Sequence, residues 1–109
     1  EYGADVNTTH PYTGKTLLYI CIEKHYSTLA KILLGFGADA SRKDNTGCTP
    51  ILLATYIGWY DMVSLLLEHG VKDESTDWHS GSGVVSMTCK RLAWLKEFTE
   101  IYELLEKYN

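Results

Sequence analysis

The chain repeats itself every 33 residues, and that period restricts its fold more than any single residue does. Thr13-Gly14-Lys15-Thr16-Leu17-Leu18 recurs as Thr46-Gly47-Cys48-Thr49-Pro50-Ile51, 33 positions on. Leu33-Leu34-Gly35-Phe36-Gly37-Ala38-Asp39 recurs as Leu66-Leu67-Glu68-His69-Gly70-Val71-Lys72 at the same spacing, and the opening Gly3-Ala4-Asp5-Val6-Asn7 echoes Gly37-Ala38-Asp39. A fixed period of this length signals stacked supersecondary units, each burying its apolar face only against its neighbours. Such arrays bind other molecules more often than they transform them.

Within the second unit the order of residues predicts turn, helix, tight loop, helix. Asp44-Asn45-Thr46-Gly47 is turn chemistry: short polar side chains, then a glycine that tolerates a positive φ. Thr49 suits a helix N-cap and Pro50 the first helical position, where a missing N–H leaves nothing unpaired. Ile51, Leu52, Ala54 and Thr55 extend this helix until Gly58. A second helix is expected over roughly 60–69, with Met62, Val63, Leu65, Leu66 and Leu67 as its apolar stripe and Gly70 as its left-handed terminator. The first unit offers Leu18, Cys21, Leu29, Ile32 and Leu33 at the matching core positions.

These residues resemble the ankyrin-repeat pattern. The likeness is carried by Thr49-Pro50-Ile51 with Ala54 and Gly58, by Leu65-Leu66-Leu67-Glu68-His69-Gly70, and by Gly37-Ala38-Asp39 with Asp44 and Gly47. It covers two complete units, residues 12–72, and the tail of an earlier one. The slightly longer tetratricopeptide period lacks these glycine-punctuated turns. Two positions depart from the pattern. Tyr19 and Leu52 stand where the family usually has histidine, so its hydrogen bonds between repeats must be absent or replaced. Leu17 stands where Pro50 would be expected.

The resemblance implies an all-α solenoid of helix-turn-helix units joined by β-hairpin-like turns. We divide it into the tail of a preceding repeat (1–9), repeats at 10–43 and 44–76, and a divergent capping repeat at 77–109. In that last unit Gly81 aligns with Gly47 and Gly14, which places Val84-Val85 at the start of its inner helix. Phe98, Ile101, Tyr102, Leu105 and Tyr108 form a stripe at i, i+3, i+4 and i+7, so Tyr102 and Tyr108 are expected in the core. Aligning Ile101 with Met62 requires about five inserted residues, which we place near Leu92-Ala93-Trp94-Leu95. An opening on the tail of a repeat suggests a piece of a longer protein, with apolar surface around Leu18 and Leu29 partly uncovered.

Composition narrows the function classes. The chain has 109 residues, 45% apolar and 22% charged, with a net charge of −4 and no run of lysine or arginine. That argues against a nucleic-acid surface, and no segment is long and apolar enough to suggest a membrane span. Cys21, Cys48 and Cys89 are odd in number and lack metal-ligand spacing, which favours a reducing intracellular compartment, cytoplasmic or nuclear. Gly14-Lys15-Thr16 superficially suggests a phosphate loop, but Thr9 stands where that loop needs its first glycine. His10, His25, His69 and His79 show no i, i+4 metal spacing. Ser82 between two glycines lacks the strand-turn-helix elbow that exposes a nucleophile. No catalytic residue, cofactor, metal or small-molecule substrate is expected, and no enzyme activity.

The expected partner is another protein or peptide. The resemblance places candidate contact residues on a concave face built from the turn tips and the exposed side of the inner helices. In the first unit these are Tyr12, Thr13, Lys15, Glu23 and Lys24; in the second, Asn45, Thr46, Cys48, Tyr56 and Ile57; in the third, Trp78, His79, Ser82, Lys90 and Arg91. Tyrosine and tryptophan provide large contact area at small entropic cost. Tyr12, Tyr56 and Trp78 are therefore assigned as anchors, and Lys15, Glu23, Asn45, Lys90 and Arg91 as polar determinants. Two alternatives share this architecture: an aromatic cage for methyl-lysine peptides built from Tyr56, Trp59, Tyr60 and Trp78 near Glu23, and a substrate-docking part of a multidomain enzyme.

Overall fold

The computed structural model describes residues 9–73, 75–80 and 83–108. Residues 1–8, read above as the tail of an earlier unit, lie outside the described residues, as do Glu74, Gly81, Ser82 and Asn109. Six short helices and one hairpin follow in order: α1 (Leu17–Glu23), α2 (Ser27–Gly35), α3 (Pro50–Ile57), α4 (Tyr60–Glu68), β1 (Thr76–Ser80), β2 (Gly83–Met87), α5 (Cys89–Leu95) and α6 (Thr99–Lys107).

The inner helices α1, α3 and α5 begin in the same way. The hydroxyl oxygens of Thr16, Thr49 and Thr88 accept the backbone N–H of Tyr19, Leu52 and Arg91 at 3.1, 3.2 and 3.0 Å. Each cap satisfies a donor that has no partner inside the helix. The loops to the outer helices are equally alike. The carbonyls of Cys21, Ala54 and Ala93 accept the N–H of Tyr26, Trp59 and Phe98 at 2.7, 2.9 and 2.8 Å.

That loop needs a left-handed residue just before the aromatic one. His25, Gly58 and Glu97 fill the position, with φ of 63°, 85° and 60°. Only Gly58 adopts it without a Cβ penalty, which is about 1–2 kcal/mol for other residues. Glycine at Glu97 is therefore expected to raise stability, by about 0.5–1 kcal/mol once its looser unfolded chain is counted. His25→Gly should gain much less, because the His25 ring stacks on Trp59 with centroids 4.6 Å apart. Thermal melting of the two variants checks this; equal gains would contradict it.

Helices of seven to nine residues are too short to persist alone in water. They are held by the core running through all three pairs: Leu18, Ile22, Ile51, Leu52, Ala54, Met62, Val63, Leu66, Leu92, Ala93, Ile101 and Leu105 are all buried. Burying one leucine or isoleucine contributes about 1.5–3 kcal/mol. α3 is the keystone, packing on α1, α4 and α5 at once.

Several sequence expectations need correction. The fold is not wholly α-helical, because β1 and β2 form an antiparallel hairpin in which Trp78 faces Val85 and His79 faces Val84. Val84 and Val85 therefore lie in a strand, and the inner helix starts at Cys89, after the Thr88 cap. Thr88 follows Thr49 by 39 residues, so the added residues sit in the hairpin and not at Leu92–Leu95, which are ordinary α5. Leu29 and Ile32 are exposed, although Met62 and Ile101, the equivalents of Leu29 in the later pairs, are buried. Leu18, expected to be partly uncovered, is fully buried, and Tyr108 lies outside the core.

Candidate functional site

Successive turns are tied together along one edge of the stack. Asn45 donates its backbone N–H to the Thr13 carbonyl at 2.9 Å and its Nδ2 to the Tyr12 carbonyl at 2.8 Å. One unit later, His79 N–H donates to the Thr46 carbonyl at 2.7 Å and Thr76 Oγ1 to the Gly47 carbonyl at 2.8 Å. Asn45 and Thr46 thus spend part of their polar capacity on joining turns.

A second bridge replaces the missing family histidine. Asp44 Oδ1 accepts Thr46 N–H at 2.8 Å, the Thr46 hydroxyl at 2.6 Å and Cys48 N–H at 3.0 Å. The Tyr19 phenol, from the preceding unit, also hydrogen-bonds to this carboxylate. Burial alone would raise the Asp44 pKa; these hydrogen bonds outweigh it and hold the carboxyl below its ordinary value. Burial drives the Tyr19 phenol far upward, helped by the neighbouring Cys48 and Asp44. Cys48, pushed up to about 11 chiefly by burial, is a neutral core thiol and not an exposed contact residue.

On this framework the aromatic candidates fall into place unequally. Tyr12 stands at the first turn, 85% exposed. Tyr56, on α3, is 47% exposed and meets Trp78 of β1 edge-to-face, with centroids 5.6 Å apart. Lys96 Nζ lies 4.4 Å from the centre of the Tyr56 ring. Ile57 is half-buried beside them. Lys15 and Glu23 pair at 3.0 Å, so their charges largely cancel.

The third unit differs from its sequence assignment. Lys90 occupies the position of the buried Leu18 and Ile51; its N–H rests on Asp73 Oδ2 at 3.0 Å and its Nζ lies 6.0 Å from the Tyr102 ring, away from Tyr56. Arg91, equivalent to Tyr19, reaches the Ser86 carbonyl at 3.5 Å. The true counterparts of Glu23 and Tyr56 on α5 are Leu95, with Lys96 following as the helix cap. Sequence reasoning missed both. The recurrence of threonine at 16, 49 and 88 was the signal that could have found them. Ser82 lies outside the described residues.

Trp59 stacks on His25, whereas Tyr56 meets Trp78 and holds the chain's own Lys96. Three of the four aromatics proposed for a methyl-lysine cage are thus engaged in two separate groups. A cleft of about 250 Å³ lined by Ala40, Lys43, Thr49, Ile51, Val71 and Thr76 shares no residue with the aromatic group. Among the described residues, no three His, Cys, Asp or Glu side chains gather as a metal would require, and no helix is long and apolar enough to cross a membrane.

Comparison with known proteins agrees with this geometry. A profile of the family described as Ankyrin repeats (3 copies) matches residues 2–77, stopping within β1. The Neurogenic locus Notch protein of Drosophila melanogaster is 34% identical over 80 residues, 73% of this chain and 3% of its own length. The ankyrin repeat protein FPV223 of fowlpox virus is 33% identical over 67 residues, 62% of this chain and 48% of its own. The ARF GTPase-activating protein GIT2 of Mus musculus is 32% identical over 75 residues, 69% of this chain and 10% of its own. The chain therefore spans less than half the length of each of these relatives. With the capped inner helices, the repeated loop and the tied turns, the match over 2–77 shows that this chain belongs to the ankyrin-repeat family.

Proposed function

We propose that the chain is a protein-recognition module whose concave face binds a partner protein or peptide. Ankyrin repeats are protein-interaction modules. The observation that carries the reading here is the Tyr56–Trp78–Lys96 group. Two large aromatic rings and a cation are held together on a rigid helix and hairpin, with half of Tyr56 left open to solvent. Rigid aromatics with a polar rim are the usual makings of an interface hot spot. Tyr12 and Trp78 extend the apolar contact, while Thr13, Asn45, Thr46, Lys15 and Glu23 supply polar selectivity around it. Three reduced, buried cysteines support an intracellular setting. Within a larger protein such a face serves as a scaffold or targeting element, or docks a substrate for chemistry performed elsewhere.

The test is affinity capture from cell extract with quantitative mass spectrometry. The bait is compared with a Tyr12→Ala/Tyr56→Ala/Trp78→Ala variant whose melting confirms that it is folded. A protein retained by the first and lost from the second identifies partner and face together. Identical protein sets on both baits would refute the concave-face assignment.

A further inference from the structure

Three equivalent positions mark the C-terminal ends of the inner helices: Lys24 after α1, Ile57 at the end of α3 and Lys96 after α5. They form a row of cation, apolar residue, cation across the stack. Both lysines are exposed, and neither joins an ion pair among the described residues. Lys96 Nζ is held 4.4 Å from the Tyr56 ring and 5.8 Å from the Phe98 ring. Ring contacts of this kind position an ammonium group without neutralising it. The helix dipole favours a cation at a C-terminus, so the protein tolerates both charges there easily.

The surroundings sharpen the contrast. Lys15 and Glu23 already satisfy each other. The exposed carboxylates of Asp61, Glu68, Glu100, Glu103 and Glu106 belong to the outer helices α4 and α6. Glu97, next to Lys96, and Asp77 of β1 are exposed too, but among the described residues neither forms an ion pair with a lysine of the row, so both ammonium groups stay unpaired.

We infer that the concave face takes an extended acidic peptide, one carboxylate on Lys24, another on Lys96, and an apolar side chain between them on Ile57 and Tyr56. This rests on the concave-face reading above and adds the chemistry of the partner. Neighbouring helices pack about 8–10 Å apart, which puts the outer two positions roughly 16–20 Å from each other. An extended chain advances about 3.3 Å per residue, so the two carboxylates belong about five to six residues apart. The exposed Leu95 lies just before Lys96 and widens the apolar strip.

The test is selection from a random dodecapeptide display library on the folded chain, followed by titration of the enriched peptide. Enriched sequences should carry paired Asp or Glu at that spacing around an apolar residue. Lys24→Glu and Lys96→Glu should each weaken the selected peptide at least about tenfold, as like charges are brought together. Binding abolished by Tyr56→Ala/Trp78→Ala yet unchanged by either lysine reversal overturns the acidic-peptide inference and leaves the concave face standing. Binding indifferent to all these changes overturns both. A selection that enriches no peptide, or only peptides without acidic pairs, overturns the inference as well. Melting of each variant separates lost recognition from lost structure.

Discussion

A Gly47→Val protein should melt roughly 10–20 °C below its parent, a loss of about 3 kcal/mol for a domain of this size. Gly47 has φ of +87°, where a side chain is strained by about 1–2 kcal/mol. Space is the larger problem: a Cβ there would collide with the Asp77 carbonyl oxygen in β1. Relieving the collision pushes the hairpin away and breaks the His79–Thr46 and Thr76–Gly47 hydrogen bonds, each contributing about 1 kcal/mol. Gly37 is the control. Its φ is +84°, but nothing lies within 4 Å of the added atom, so Gly37→Ala carries only the conformational strain. Thermal unfolding of both variants by circular dichroism decides the matter. If the two lose the same stability, contact between turn and hairpin contributes nothing.

The second large effect is expected at Asp44. Asp44→Ala strands the N–H groups of Thr46 and the buried Cys48 and takes from the buried Tyr19 phenol one of its two polar neighbours. Hydrogen bonds to an ionised group contribute about 1.5–3 kcal/mol each, though not additively, and a total loss of about 3 kcal/mol follows. The same carboxylate makes stability depend on acid. Its pKa is lower in the folded chain than in the unfolded one, so its contribution is complete above the unfolded value, about 3.9. It is lost as pH falls through the folded value. Between neutral pH and pH ~2 the parent should therefore lose more stability than Asp44→Ala does, as measured by urea unfolding at each pH. Parallel decline of the two proteins would show that Asp44 is not the titrating group.

How much of the fold is legible in the sequence depends on how local each signal is. Thr49-Pro50 announces a helix start because cap and first residue are adjacent, and both behave as their chemistry requires. The period placed the first two helix pairs for the same reason. The third unit is not legible in this way because a turn glycine carries little information about register: Gly81 resembles Gly47 in kind, yet the next cap lies at Thr88. Without a proline after Thr88, the alternation Gly83-Val84-Val85-Ser86-Met87 passed for a helix start. That shift alone accounts for the assignment of Lys90 and Arg91, in place of Leu95 and Lys96, to the face proposed for partner binding. The Tyr19–Asp44 bridge was hidden for another reason. It joins residues of different units, and only stacking brings a phenol to a carboxylate 25 positions further along the chain.

The longer hairpin has a consequence for how such a chain can change over generations. Helix spacing grows from 33 to 39 residues between the second and third caps, yet the caps, loops and buried alanines keep their mutual geometry. Extra length is taken up in the β1–β2 hairpin, a two-stranded finger, and α5 still packs on α3 as α3 packs on α1. Natural variation can lengthen, shorten or rewrite that finger while the pile of helices stays in phase. Trp78 sits on it and Tyr56 does not, so substitution can change one ring of the pair while the other stays fixed in a helix. Novel specificity would then arise from rewriting one digit set against a constant palm.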